Sequence, residues 1–221
     1  VSALPLLHAQ KLTRFFPPKK VLDGVDLSLY PEERLALIGE NGSGKTTLLR
    51  TLSTLSKKNS GEIHICGAEI EANLFQCRKN IGWAGTIDGG FVARFTGKEN
   101  FFFFAALAGV SAKDATEIIE HWIDWPILAE ALDTKFLNCS SGMRQSLNLV
   151  RSLLHRPQII IWDEPFRSLS LEMRAFAQKR LLELPKIPAI VFSSHTKEDY
   201  THWASRVVRL QNGKVEDVGS F

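Results

Sequence analysis

Apolar positions along this chain recur in three ways. Short continuous runs occur at Leu35–Ile38, Ile159–Trp162 and Ala189–Phe192. They have the length of buried strands rather than helices, and unbroken runs suit a parallel sheet covered on both faces. Elsewhere the period is two. Val25, Leu27 and Leu29 alternate with Asp26 and Ser28, and Gly61-Glu62-Ile63-His64-Ile65-Cys66-Gly67 alternates between bounding glycines, so both predict half-buried strands. Val207–Leu210 and Lys214–Val218 flank Asn212-Gly213, a strong hairpin signal. Helical spacing begins at Leu48, Leu49 and Leu52, and returns at Ile118, Ile119, Trp122 and Ile123 until Pro126 interrupts it. In residues 139–154, Leu147, Val150 and Leu154 share one face, with Ser140 or Ser141 as N-cap and Pro157 as the stop. Residues 78–100 show little periodicity and many turn formers. The pattern predicts an α/β fold in which residues 87–152 form a mainly helical lobe.

Composition narrows the class. The 221 residues are 44% hydrophobic and 23% charged, enough for one globular unit with an inserted lobe and a real core. A formal charge of +3 gives no argument for nucleic acid as a partner. Cys66, Cys77 and Cys139 form no C-x-x-C pair, so the expectation is reduced thiols in a cytosolic compartment. The histidines lack ligand spacing; His64 and Cys66 alternate on a predicted strand without making a metal pair. The densest apolar run, Phe101–Ala108, is under half of the roughly 18 residues a membrane span needs. The start, Val1-Ser2-Ala3-Leu4-Pro5, lacks the basic region of a signal peptide. The expectation is a protein neither membrane-spanning nor secreted.

One stretch carries chemistry by itself. Gly39-Glu40-Asn41-Gly42-Ser43-Gly44-Lys45-Thr46-Thr47 follows one predicted strand and opens one predicted helix, the context a phosphate-binding loop requires. Glycines let the backbone curl so that several N–H groups face an anion. The helix that follows adds free N–H groups and the positive end of its dipole. Lys45 reaches β- and γ-phosphates as a point charge, and Thr46 offers a hydroxyl to Mg²⁺.

Two other apolar runs end in polar groups: Asp163-Glu164-Pro165 and Ser193-Ser194-His195. In an open α/β sheet, ligands sit beyond the carboxyl ends of the strands, so these groups should meet the phosphate loop. Adjacent carboxylates beside a triphosphate divide the work: Asp163 holds Mg²⁺, and Glu164 orients or deprotonates an attacking water. Phe15 and Phe16, beside the turn at Pro17-Pro18, leave two readings open: stacking on a flat ring such as adenine, or core packing.

The whole set resembles the ATP-binding subunit of ABC transporters across nearly the entire chain. Gly39–Thr46 match the Walker A loop, Ile159–Asp163 match Walker B, Glu164 stands at the catalytic glutamate and His195 at the switch histidine. Phe16 lies where the family places an adenine-stacking aromatic. Ser140-Ser141-Gly142-Met143 matches the signature motif that separates this family from other phosphate-loop ATPases. The resemblance implies a RecA-like P-loop NTPase core with an N-terminal antiparallel β subdomain and an inserted helical subdomain. It divides a single domain, 1–221, into a nucleotide-binding lobe (1–86 and 153–221) and a helical, signature-bearing lobe (87–152). It implies ATP and Mg²⁺ as ligands, a second nucleotide-binding domain facing the first head to tail, and a transmembrane permease subunit docked on the helical lobe at the cytoplasmic face. Part of the Phe-rich run would line that docking groove, with core packing for most of its phenylalanines.

There are departures. Thr86 stands where the family usually has a glutamine, with Asp88 as a possible substitute, and Ser170 stands where an aspartate is usual. The signature begins with Cys139, and has Ser141 and Met143 in place of glycine and glutamine. The Ser-Ser-Gly-Met version resembles the exporter branch. The alternative is an ATP-binding regulatory switch with little turnover and no transport partner; a phosphate-loop kinase would not explain the signature motif.

Overall fold

The computed structural model describes residues 4–85 and 90–220. In chain order the first elements are β1 (Leu7–Phe16), β2 (Lys19–Leu29), β3 (Arg34–Ile38), α1 (Lys45–Leu52), β4 (Ser60–Ile65), β5 (Ala68–Glu69), α2 (Leu74–Lys79) and β6 (Ile81–Ala84). Then come α3 (Gly97–Leu107), α4 (Ala112–Trp122), α5 (Pro126–Asp133), a 3₁₀ turn (Phe136–Asn138) and α6 (Ser141–Arg151). The remainder is β7 (Ile159–Trp162), α7 (Leu171–Leu182), β8 (Ala189–Ser193), α8 (Lys197–Tyr200), β9 (Arg206–Gln211) and β10 (Lys214–Ser220). The chain divides into two compact units. One comprises Val1–Trp83, Gln158–Glu164 and Pro188–Phe221; the other comprises Ala84–Pro157 and Pro165–Ile187.

The described strands form two sheets, one in the order β2-β1-β4-β5 and one in the order β10-β9-β3-β8-β7-β6. β1 pairs antiparallel with β2 and β4. In the second sheet β3 pairs parallel with β8 and β9, and β7 pairs parallel with β8. The three continuous apolar runs are these central strands, and every residue of β7 and β8 is buried. β9 and β10 form the hairpin that Asn212-Gly213 predicts. Both turn residues carry positive φ, 51° and 75°, as a type I′ turn requires.

The core of the first unit gathers Leu7, Leu22, Leu35, Leu37, Leu48 and Ile161, among others. Beside it, Arg206 ties four segments together. Its Nε donates to Glu33 Oε1 at 2.6 Å, Nη1 to Asp217 Oδ2 at 3.3 Å and Nη2 to the Ser28 carbonyl at 2.5 Å. Those carboxylates hold its guanidinium above the usual range against the opposing effect of burial.

The second unit is helical and rich in aromatics. Phe101, Trp122, Trp125 and Leu147 are buried, and Phe91 stacks on Phe136 with ring centroids 4.4 Å apart. Arg151 lies over Phe91 and Phe104 at 5.1 and 4.9 Å and donates to Asn148 Oδ1 at 2.9 Å. Burial draws its guanidinium down to about 10, which leaves it charged at neutral pH.

Three details differ from the sequence reading. The expected helical lobe stopped at residue 152, but the helical unit also takes Pro165–Ile187. The reason is packing: Phe176 stacks on Trp125 at 6.4 Å, and the Arg180 carbonyl lies 2.9 Å from His121 Nε2. The helix α6 ends at Arg151, six residues before Pro157, with Ser152 as its C-cap. Of the four consecutive phenylalanines, α3 buries only Phe101 fully, and Phe103 is 37% exposed. A helix turns four consecutive residues around more than one face, so the run cannot all reach one core.

Replacing Arg206 with Met should expose how much the first unit depends on that cation. Two charge-assisted hydrogen bonds and a carbonyl contact are lost and Glu33 is left half-buried. The expected destabilisation is about 2–4 kcal/mol, read as a lower urea midpoint with unchanged slope.

Candidate functional site

The phosphate loop joins β3 to α1, and its geometry follows from its glycines. Gly44 caps α1 with φ 107°, a conformation L side chains rarely adopt. A Cβ there would meet Val21 Cγ1 at 2.7 Å, so both torsion and space demand glycine. Lys45 is 7% exposed. Its Nζ donates to the Gly39 carbonyl at 2.7 Å and the Glu40 carbonyl at 3.0 Å, which folds the cation back into the throat of its own loop. Ser43 Oγ is buried with no hydrogen-bond partner in the protein. A curled glycine backbone, a cation in its throat and an orphaned hydroxyl fit a phosphate chain. Thr46, one residue after Lys45, is exposed, and Thr47 is half-buried.

β7 and β8 run parallel with Trp162 opposite Phe192, so Asp163 and Glu164 leave the sheet beside Ser193 and Ser194. Ser193 Oγ donates to Asp163 Oδ1 at 2.6 Å and accepts from the Glu164 N–H at 2.9 Å. Glu164 has φ 52°, a left-handed conformation costing a non-glycine residue about 1–2 kcal/mol. His195 Nδ1 lies 3.3 Å from Glu164 Oε1. Ser194 shapes the turn that presents this histidine: its Oγ accepts from the Thr196 N–H at 3.0 Å and donates to Asp199 Oδ2 at 2.8 Å. Hard oxygen donors, a threonine hydroxyl and a carboxylate, are the set that suits Mg²⁺.

A cleft of about 920 Å³ opens over this edge of the first unit. It is lined by Gly39–Ser43, His195 and Tyr200, by the hairpin residues 209–213, and by Lys19 and Lys20. Positive side chains dominate its rim, which favours an anionic occupant. Phe15 and Phe16 are 40% and 43% exposed, which excludes the core-packing reading. Neither lines the cleft, and the Arg14 guanidinium covers one face of Phe16 at 4.2 Å.

The signature residues lie in the helical unit. Ser140 caps α6: its Oγ accepts from the Met143 N–H at 3.2 Å, and the Ser140 N–H donates to Met143 Sδ at 3.4 Å. This is a reciprocal capping box in which a thioether takes the place of a carboxamide. Ser141 is exposed at the first helical position. Gly142 is held by space: a Cβ would meet Ile127 Cδ1 at 2.7 Å and the Ser168 carbonyl at 3.1 Å.

Sequence reasoning missed Gln145 and Asn148 on the same helix. Gln145 Nε2 donates to the Pro165 carbonyl at 2.7 Å, and Asn148 Nδ2 to the Gly85 carbonyl at 2.8 Å. Their row along α6 and its C-cap also carries Ser141 and Ser152, so the sequence reads as a polar stripe there; only their burial marks the two amides. Ser170 caps α7 by accepting from the Met173 N–H at 3.3 Å, a task aspartate and serine perform about equally well. Thr86 and Asp88 lie outside the described residues.

Known proteins resemble this chain over most of its length. A family model described as ABC transporter matches residues 22–167. An uncharacterised ABC transporter ATP-binding protein of Bacillus subtilis, YdbJ, is 30% identical over 216 residues, covering 97% of this chain and 69% of that protein. The Nod factor export ATP-binding protein I of Burkholderia thailandensis is 28% identical over 206 residues, 93% of this chain and 67% of its own. Among solved structures, an ATP-binding subunit of an ABC transporter superposes with a TM-score of 0.86 at 24% identity, covering 98% of this chain and 90% of that one. A dimeric bacterial ABC transporter cassette gives 0.83 at 20% identity, over 97% and 100%. At those identities the structural likeness speaks to the fold.

Restoring a carboxamide at the capping box should strengthen it. Met143→Gln replaces a weak sulfur acceptor with an amide oxygen at the position a capping box favours. The expected gain is about 0.5–1 kcal/mol, seen as a melting temperature roughly 2 °C higher.

Proposed function

The chain belongs to the ATP-binding proteins of the ABC transporter family, an ATPase family, and on that premise we propose that it drives an exporter. It would work as a dimer on the cytoplasmic face, against a separate transmembrane permease. No helix among the described residues is long and apolar enough to cross a membrane, so a membrane path would come from that partner. The export direction is supported by the name of the Nod factor export relative and by the Ser-Ser-Gly-Met signature.

The observation that carries the reading is the assembly at one sheet edge: Lys45 in its loop, and Asp163, Glu164 and His195 joined through Ser193 and a 3.3 Å contact. Lys45 and the amides of residues 39–47 would bind the phosphate chain and oppose its charge. Thr46 and Asp163 would hold Mg²⁺. When bound, the metal neutralises charge on the β- and γ-phosphate oxygens. Glu164 orients the attacking water and takes its proton. His195 holds the Glu164 carboxylate from the adjacent loop and reaches toward the γ-phosphate. Phe16 would offer its uncovered face to the adenine. Ser140, Ser141, Gly142 and Met143, at the start of α6, would complete the site from a second chain, where free N–H groups favour an anion. We read residues 1–221 as one ABC ATPase domain, with the nucleotide site in the first unit and the signature in the second.

Two variants test this. Lys45→Ala should weaken ATP binding about 10–100-fold, the scale of one or two charge-assisted hydrogen bonds. Unchanged affinity would sink the phosphate-loop assignment. Glu164→Gln should keep nucleotide affinity while phosphate release falls by about 10²–10⁴, the range of general-base catalysis. Turnover within a few-fold of wild type would remove Glu164 from the reaction.

A further inference from the structure

The buried hydroxyl of Ser193 has a place in the site that the motifs above do not assign. Ser193 is the last residue of β8 and fully buried. A serine hydroxyl carries one proton and two lone pairs. Here the proton goes to Asp163 Oδ1 at 2.6 Å, and a lone pair takes the Glu164 N–H at 2.9 Å. The two contacts run in opposite directions and close a ring through the peptide bond that joins the two acids. Asp163 and Glu164 therefore cannot be placed independently of each other.

Each contact has a separate consequence. The 2.6 Å bond occupies Oδ1 of Asp163 and fixes the carboxylate plane, so the other oxygen keeps one orientation. The bond to the Glu164 N–H holds the backbone where φ is 52°, a conformation that needs support from its surroundings. Neighbouring Ser194 cannot substitute. Successive strand side chains point to opposite faces, and its hydroxyl is committed to Asp199 and Thr196. A residue that merely filled space would need no hydroxyl. We infer that Ser193 is the positioning residue for both acids, orienting Asp163 toward a divalent cation and Glu164 toward the reacting water.

This inference rests on the roles proposed above for Asp163 and Glu164. Partners that orient metal-ligating carboxylates typically account for 10–100-fold in metal affinity or activity. The test measures binding of a fluorescent ATP analogue across a Mg²⁺ titration for wild type, Ser193→Ala, Ser193→Thr and Asp163→Asn. It is paired with amide hydrogen exchange at Glu164 and steady-state hydrolysis.

Ser193→Ala should need about 10-fold more Mg²⁺ for half-maximal tightening, while its affinity in EDTA stays at the wild-type value. Its kcat should fall by a similar factor with KM nearly unchanged, and Ser193→Thr should recover most of both. Slow exchange at the Glu164 amide in wild type should become fast in Ser193→Ala. Rapid exchange in the wild-type protein overturns the inference even if the alanine variant misfolds. If Asp163→Asn loses the Mg²⁺ response and Ser193→Ala keeps it, Ser193 is not the positioning residue and the metal assignment stands. If Asp163→Asn itself keeps the response, the metal assignment falls and the inference falls with it.

Discussion

The chemistry of this chain depends on the register of three parallel strands. Because β3, β7 and β8 run in the same direction, their carboxyl ends share one edge. The phosphate loop, the acidic pair and the serine–histidine turn all leave the sheet there. A slip of one residue in the β7–β8 pairing would carry every side chain to the other face and separate Ser193 from Asp163. What holds the register is apolar burial on both faces, with no residue of β7 or β8 exposed. Stability and function therefore lean on the same contacts: the core that fixes the strands also fixes the acids.

Strain and slack are distributed unevenly around that edge. The left-handed backbone at Glu164 costs free energy and falls where the acid meets His195 and Ser193. A hydroxyl on the next strand holds it there. The phosphate loop uses glycine where its backbone turns left-handed and closes on Val21. At α6 the cap is softer, because a sulfur atom stands where a carboxamide would make the stronger hydrogen bond. The departures from the usual family residues at 143 and 170 keep their helix caps, by thioether in one case and hydroxyl in the other.

Much of the fold was legible because its signals were local. Continuous apolar runs marked the central strands, Asn212-Gly213 marked the hairpin and the serine pair at 140 and 141 marked the start of α6. The glycine spacing from 39 to 44, with Lys45, marked the loop without any knowledge of tertiary structure. Other features depended on distant partners. The membership of residues 165–187 rests on Phe176 meeting Trp125, far away in sequence, which no local period encodes. Gln145 and Asn148 look like ordinary helix residues until the Pro165 and Gly85 carbonyls stand beside them. Ser193 lay in plain view two residues before His195, but its importance comes from the cross-strand pairing and not from its neighbours in sequence. Phe16 was ambiguous between core and surface for a similar reason: nothing local says that β1 ends in solvent with Arg14 over the ring.

We propose that a second copy of this chain supplies the facing nucleotide-binding domain, so that two copies close over ATP with each signature helix at the other's phosphate loop. The most direct test is the molar mass in solution of a variant that binds ATP without hydrolysing it, Glu164→Gln, measured by light scattering with and without Mg-ATP. The account predicts 24.8 kDa without nucleotide and a doubling of that mass at saturating ATP. A mass that stays at the monomer value while ATP is demonstrably bound would contradict it.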